Sequence, residues 1–405
     1  MIMANSIATE ERAKVIAAHL KAETPILEYP TREIENRFEK GTGATVDVTT
    51  VDYGSVIETA DGNLAGQDFS TSSIKTPVTV SFVTNPVELN VLDQTLNLAS
   101  FEEQIVKPRI SLLASRINAK VIATSILAAN DNFVVPTGNK ADFQLLANAA
   151  ARVRSSRVGD RIAGAISYDV QAAVTGSGMN MFSANNSLGS DLYRNKISQY
   201  AGIDWVVSAD CPTIANPQVI AGAVLSTPIA NGSNQVAVTL ANGGANFVIP
   251  KFTPFTIAGI NSVDAYGKDT GKLRTFVVIE DATGTGSLTR TLKVAPVWAQ
   301  KTDAGFKNAT SLGASNAAVS FPLAAGTYYV GSVFASKAVA FASVKPAPLL
   351  GSFESANSNI QNGLNVLMTA TANGDKFTSY VRWDVLVGSE PLYQQGAVAI
   401  YVPAA

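Results

Sequence analysis

The sequence is poor in charge and has almost no cysteine or histidine. Asp, Glu, Lys and Arg make up 15% of its 405 residues, where an ordinary soluble protein has about 25%. The net charge of -2 leaves no basic excess to displace the counterions of a nucleic acid, so we expect no dominant nucleic-acid interface. One Cys, Cys211, and one His, His19, exclude a disulfide framework and a Cys/His zinc cage within the chain.

Long hydrophobic runs are also missing. The longest, residues 145–151 and 219–225, fall far short of the roughly 18 residues needed to span a membrane. The N-terminal residues lack the basic start and the apolar core of about 7–15 residues that mark a secretion signal. We therefore expect no membrane segment, and a protein that is kept or assembled in the cytoplasm.

Apolar residues, by contrast, make up 46% of the chain, which excludes an intrinsically disordered protein. A chain so poor in charge can place much of its surface against other protein, because interface cores are depleted of charge in the same way. A compact, uncharged extracellular or β-rich protein would show the same composition. Composition alone does not favour either the protein with large interfaces or the compact, uncharged one.

The residue patterns of known catalytic sites are absent. The only His lies in a predicted terminal helix, away from any nucleophile and acid. No base stands near Cys211, which we expect to be a buried, unreactive thiol. Asp269-Thr-Gly271 copies the tripeptide of aspartic proteases, but its polar surroundings indicate a turn. We predict a protein that is not an enzyme and that uses no cofactor or metal.

Two N-terminal segments need a partner surface. Residues 5–23 predict an amphipathic helix that ends before Pro25 and is too poor in apolar positions to fold alone. Residues 44–84 predict a long hairpin with a polar tip, from alternating apolar residues on both strands. Because an isolated hairpin is marginal in water, we expect it to project and to pack against a partner. The alternating residues are Val46, Val48, Val78, Val80 and Phe82.

The strongest helix pattern covers residues 100–130. Ser100-Phe-Glu-Glu103 fits a capping box, and Pro108 predicts a kink or a restart. About 30 residues would span roughly 45 Å, which suggests a backbone element of an extended molecule. The apolar residues at helical spacing are Ile110, Leu113, Ile117 and Val121.

The rest of the chain alternates between mixed and all-β patterns. Helices are predicted over 141–157 and 168–174, strands over 162–167 and 200–211, and a mobile loop over 176–190. From 221 to 336, short strand-like runs separated by glycine-rich turns indicate a small β-barrel inserted in the mixed region. After 337 mixed strands return, with clean alternation at Val381, Trp383, Val385 and Val387.

This order of elements resembles the major capsid proteins of tailed double-stranded DNA phages, which have the HK-97-type fold. Residues 253–263 and 101–118 are also similar to the barrel segment and spine helix of the P-22-type coat protein family. That family's barrel segment reads Asp-x-Phe-Thr-Ile-Ala-Gly-Val-x-x-Val. Thr253-Pro254 stands where the family has an acid, so contacts made by that acid do not carry over.

The resemblance implies an α+β fold with a small inserted barrel. Its parts would be an N-terminal arm (1–43), an extended loop (44–84), a peripheral domain with the spine helix (85–140), the first part of an axial domain (141–220), the inserted barrel domain (221–336), and the second part of the axial and peripheral domains (337–405).

The resemblance also implies a function. Many copies would form pentamers and hexamers, closing into an icosahedral shell around packaged double-stranded DNA bound without sequence specificity. The shell would assemble in the host cytoplasm and become part of the virion. A separate scaffolding protein, a portal protein and a decoration protein are the implied partners. The candidate inter-subunit contacts are Glu58, Asp61 and Asp68 near the hairpin tip, and Arg109 and Arg116 on the long helix.

Two other functions remain open at this point. A secreted or surface β-rich binding module would account for the barrel and the low charge, but not for so long a helix. A hydrolase with an unrecognised site would have to work without the usual His and Cys chemistry.

Overall fold

Helices and strands are mixed along the chain, which confirms an α+β protein. The chain divides into two compact units: Met1–Val46, Pro77–Val121 and Ala340–Glu390 form the first, and Asp47–Thr76, Ile122–Val339 and Pro391–Ala405 form the second. The computed structural model describes residues 14–38, 43–51, 62, 73–90, 102–135, 141–159, 161–178, 199–216, 220–241, 247–264, 268–284, 288–295, 309–347, 354–358, 364–373 and 378–404.

The described part of the chain begins with helix α1 (residues 14–23). Ile16 and Leu20 are buried along one side of it, as the amphipathic pattern predicts. The helix ends before Pro25, and the hydroxyl of Thr24 donates a hydrogen bond of 2.8 Å to the carbonyl oxygen of Leu20. The part of the predicted helix that precedes α1 lies outside the described residues.

The predicted hairpin is present but ends earlier than the sequence pattern indicates. Strands β1 (Thr45–Val51) and β2 (Ser73–Thr79) form a two-stranded sheet. The next strand, β3 (Ser81–Asn90), pairs instead with β19 (Thr378–Pro391). The assignment of Phe82 to the hairpin is therefore wrong, because the strand that contains it has a partner some 300 residues away that local alternation cannot reveal.

A five-stranded sheet is built around β19. The residues that alternate in its sequence, such as Val381 and Trp383, are buried on one face, as predicted. Its other strands are β3, β16 (Val339–Val344), β17 (Glu354–Ser358) and β18 (Val366–Asn373).

The long helix consists of a π-helical turn, Glu102–Val106, followed by α2 (Lys107–Leu127) with 21 residues. The α-helical part begins next to Pro108, so the predicted restart at this proline is confirmed. Ile110 and Ile117 are fully buried, as their helical spacing predicts.

This helix also passes a simple test for a membrane span. By length and composition alone, the stretch Glu103–Leu127 is apolar enough to cross a membrane. However, more than half of its most apolar part is buried within the protein, as in the core helix of a globular unit. One such helix is weak evidence for a membrane, and the absence of a membrane segment stays a prediction.

A seven-stranded sheet in the second unit has the order β4-β20-β15-β5-β7-β6, with β8 also paired to β15. Helices α3 (Phe143–Ser155) and α4 (Tyr168–Gly178) share one apolar core with this sheet. Helix α4 continues past the predicted end at Val174, because glycine weakens a helix by about 1 kcal/mol but does not break it. The strands are β4 (Asp131–Val134), β5 (Ile162–Ile166), β6 (Gln199–Tyr200), β7 (Ile203–Val207), β8 (Thr213–Asn216), β15 (Gly326–Ala335) and β20 (Ala397–Pro403).

A closed barrel with the strand order β10-β13-β12-β11-β14-β9 interrupts this sheet. The chain leaves the sheet after β8 and returns as β15, which pairs with β8 so that Asn216 lies opposite Gly326. The predicted insert, residues 221–336, is too long at its C-terminal end. Strand β15 belongs to the seven-stranded sheet, and the last barrel strand ends at Ser320. These strands are β9 (Ala223–Leu225), β10 (Gln235–Thr239), β11 (Pro254–Val263), β12 (Asp269–Val278), β13 (Thr289–Ala295) and β14 (Ala318–Ser320).

Candidate functional site

The residues with potential catalytic chemistry are dispersed. Within the described ranges, no group of three or more His, Cys, Asp or Glu side chains comes together. Cys211 is buried, and burial raises the pKa of its thiol to about 12, so little reactive thiolate forms at neutral pH. The predicted burial of this thiol is confirmed, and its lack of reactivity stays a prediction. His19 is a half-buried residue of α1.

The tripeptide shared with aspartic proteases lies at the start of β12. The backbone N–H of Gly271 donates to Oδ1 of Asp269 at 2.7 Å, and Gly271 has a φ of 68°. The other carboxylate oxygen of Asp269 accepts a bond of 3.2 Å from Nδ2 of Asn261. Both carboxylate oxygens are thus engaged in local bonds, one to Gly271 and one across to β11. The turn predicted for this tripeptide is wrong, because its three residues begin strand β12.

Arg109, one of the two arginines expected in inter-subunit contacts, is bonded to strand β3. Its Nη1 donates to Oδ1 of Asn85 at 3.1 Å and to the carbonyl oxygen of Pro86 at 3.3 Å. In return, Nδ2 of Asn85 donates to the carbonyl oxygen of Arg109 at 2.9 Å. These bonds fix α2 against β3.

Arg116, the second of these arginines, lies at a groove of about 330 Å³ between α2 and β3. Leu112 lines the same groove and is 62% exposed, which is unusual for a leucine in the middle of a long helix. Arg116 is exposed beside it. An apolar side chain next to a guanidinium suits a protein segment that carries apolar and acidic side chains.

Lys120 lies one helical turn after Arg116 on α2 and is bonded to two strands. Its Nζ donates to Oγ of Ser81 and to the carbonyl oxygen of Val387, both at 3.0 Å. Burial lowers the pKa of Lys120, the charge of Glu390 opposes this change, and the charge of Arg116 adds to it. Lys120 is therefore held by β3 and β19, whereas Arg116 remains at the surface.

A second exposed surface lies on one face of the five-stranded sheet, and we call Phe82, Tyr380 and Arg382 the outer-face patch. Phe82 and Tyr380 are 59% and 39% exposed. Phe82 lies opposite Leu386 of β19, and alternate residues of a strand share a face. The three side chains of the patch therefore lie on the face opposite to that of buried Trp383.

The guanidinium of this patch is held in place by a buried carboxylate. Nε and Nη2 of Arg382 donate to the two carboxylate oxygens of Asp384 at 2.7 and 2.8 Å. The hydroxyl of Thr84 donates to the same carboxylate at 2.6 Å. Asp384 is 1% exposed, whereas the side chain of Arg382 is 44% exposed. Arg382 is two residues from exposed Tyr380 on the same face, and a rigid arginine next to an exposed aromatic ring is typical of binding hot spots, since little side-chain entropy is lost on contact.

The three acidic candidates Glu58, Asp61 and Asp68 lie outside the described residues. The structure therefore does not show them together with Arg109 and Arg116.

Sequence reasoning missed three exposed large apolar residues, Leu112, Phe82 and Tyr380. For Leu112 a signal was available, because it falls outside the helical stripe that contains Ile110 and Leu113. For Phe82 and Tyr380 there was none, since alternation identifies two faces of a strand but not which face is covered.

No protein-family model and no curated protein matches the chain. Among solved structures it is similar to the "acidic stable capsid structure" of Helicobacter pylori bacteriophage KHP30, with 9% identity over 94% of this chain and 92% of that chain and a TM-score of 0.46. It is also similar to the capsid of the cyanophage P-SCSP1u, with 11% identity over 90% and 85% of the chains and a TM-score of 0.44. A virus-like particle from Pyrococcus furiosus shares 7% identity over 97% and 99%, with a TM-score of 0.44.

Proposed function

We propose that this chain is a major capsid protein with the HK-97-type fold, of the P-22 type. The observation that carries the proposal is the order of elements along the chain. A terminal helix, a two-stranded hairpin and a long helix are followed by a mixed sheet with a closed barrel spliced between β8 and β15. This is the order that the resemblance found in the sequence implies.

The exposed surfaces support an assembling protein. The groove beside Leu112 and the outer-face patch both present apolar side chains next to an arginine. Aromatic residues and arginine are enriched in the cores of protein interfaces, where other charges are depleted. The low overall charge of the chain agrees with large contact areas between copies.

In this proposal the copies form pentamers and hexamers that close into an icosahedral shell around double-stranded DNA. The shell assembles in the host cytoplasm with a separate scaffolding protein, joins a portal protein, and offers its exterior to a decoration protein. The chain has a structural role in the virion and no enzymatic one. These partners follow from the family resemblance.

The hairpin tip is proposed to contact a neighbouring copy through its acidic residues Glu58, Asp61 and Asp68. Exposed Arg116 is the better partner for them, because Arg109 is already bonded to β3. Single exposed ion pairs contribute only about 0–1 kcal/mol, so the stability of the shell would come from apolar burial summed over many copies. Deleting residues 55–68 should leave each subunit folded, by circular dichroism, yet prevent shells; loss of folding would contradict this role.

The proposal is tested by expressing the full chain with its scaffolding protein. Electron microscopy and light scattering should show capsomers or closed particles of shell size. A protein that stays monomeric under all assembly conditions, with the scaffolding protein present, would contradict the proposal and favour a binding module.

A further inference from the structure

A small cavity lies in the second unit, where the β11–β12 hairpin of the barrel meets the seven-stranded sheet. We call it the junction cavity, and its volume is about 50 Å³. Ser262 and Thr270 line it from the barrel side. Asn130, Arg152 and Gln395 line it from the sheet and its helix α3. Val263 and Val398 also line the cavity, so both polar and apolar groups of the two structural layers meet here.

Several of these polar groups are buried without a hydrogen-bond partner among the described residues. Asn130 is 6% exposed and Gln395 is 5% exposed. The unpartnered atoms are Oδ1 of Asn130, Oε1 and Nε2 of Gln395, and Nη1 of Arg152. A buried polar atom left unpaired costs about 1–3 kcal/mol, and more when it belongs to a charged group. The four atoms belong to residues that line one cavity, so an occupant that reaches them would restore their hydrogen bonds.

The charges around the cavity argue against an ion as that occupant. Asp131 and Asp264 line it together with Arg152 and Lys272, so two carboxylates face two cations. Nε of Arg152 lies 3.5 Å from Oδ2 of Asp131, which partly neutralises both. A cation in the cavity would be repelled by the guanidinium of Arg152 and the ammonium group of Lys272. An anion would be repelled by the two carboxylates.

The hydrogen-bonding pattern favours water instead. The unpartnered atoms comprise two N–H donors and two oxygen acceptors, and water supplies both functions in one molecule. One water needs about 10–15 Å³ of such space and makes about three hydrogen bonds, so a cavity of this size holds roughly three to five waters.

We propose that the junction cavity is a built hydration site, in which ordered waters connect the barrel hairpin to the seven-stranded sheet. The barrel is then held at this point by exchangeable solvent bridges rather than by direct side-chain bonds. The proposal is independent of the proposed capsid function, because it concerns the fold of a single chain.

The variant Gln395→Met tests this proposal, because a hydrated and a dry cavity predict opposite changes in the midpoint of thermal unfolding. Methionine has nearly the volume of glutamine but removes both unpartnered atoms. In a dry cavity the change would relieve a desolvation penalty and raise the midpoint of thermal unfolding. In a hydrated cavity it removes two water partners and lowers the midpoint by a few degrees, which is the expected result. Gln235→Met, at an exposed position of β10, is the control and should leave the midpoint unchanged.

Two further measurements complete the test. A high-resolution density map of the full chain should show waters within hydrogen-bond distance of Asn130 and Gln395. Ca²⁺ alone and inorganic phosphate alone should shift the unfolding midpoints of wild type and Gln395→Met equally. A raised midpoint in Gln395→Met, an empty cavity in the map, or an ion-dependent stabilisation confined to the wild type would each overturn the proposal.

Discussion

Gly164 of β5 lies against the indole ring of Trp205 in β7, so close that a Cβ atom at this position would overlap the ring. At the scale of a residue, this contact explains a glycine inside a buried strand. We expect Gly164→Ala to lower the free energy of unfolding by about 1–3 kcal/mol, measured by urea denaturation. The control is Gly176→Ala in α4, where a Cβ atom meets nothing within 4 Å. Because alanine is the better helix former, this control should be neutral or stabilising.

Cys211 gives a second prediction at this scale. Since burial both shields the thiol and raises its pKa to about 12, a thiol reagent at neutral pH should leave the folded protein unmodified. The same reagent should titrate one thiol per chain after unfolding in guanidinium chloride. If mass spectrometry showed rapid modification of the native protein, Cys211 would be accessible and the prediction wrong.

At the scale of an element, helix α2 has two faces with different roles. Ile117 is fully buried, and Ile117→Ala should cost about 2–5 kcal/mol of stability through the cavity it leaves. Leu112 is 62% exposed on the same helix, so Leu112→Ala should change stability by less than about 0.5 kcal/mol. Chemical denaturation of both variants checks this difference. Equal losses would mean that the groove beside Leu112 is closed within the subunit.

The elements also show what a sequence can predict. The spacing of Ile110, Leu113 and Ile117 predicted α2, and the alternation around Trp383 predicted β19, because both patterns are local. The pairing of β3 with β19 could not be predicted, since it joins residues some 300 positions apart. The bonds of Arg109 to Asn85 depend on that pairing. The sequence therefore predicts that Arg109 lies on the long helix, but not that it is bonded to β3 of the same chain.

At the scale of the whole molecule, the outer-face patch provides a test of assembly. The double variant Phe82→Ser, Tyr380→Ser should leave the subunit folded, because both side chains are substantially exposed, and should reduce or abolish shells in electron micrographs. The matched control is Leu273→Ser, Leu288→Ser on the barrel side, where both leucines are 44% exposed. If both double variants assemble like the wild type, the patch is not an interface. If both fail equally, the effect is not specific to the patch.

The way the barrel joins the sheet has a consequence for the independence of the two parts. Asn216 and Gly326 lie opposite each other on paired strands, so the chain exits and re-enters across a single rung of the ladder. A tight turn could link these two positions directly, and the remaining strands would keep their neighbours. The strand pairing of the sheet therefore does not depend on the intervening segment, and its removal would cost the buried hydroxyl of Tyr401 its bond to the carbonyl oxygen of Phe252.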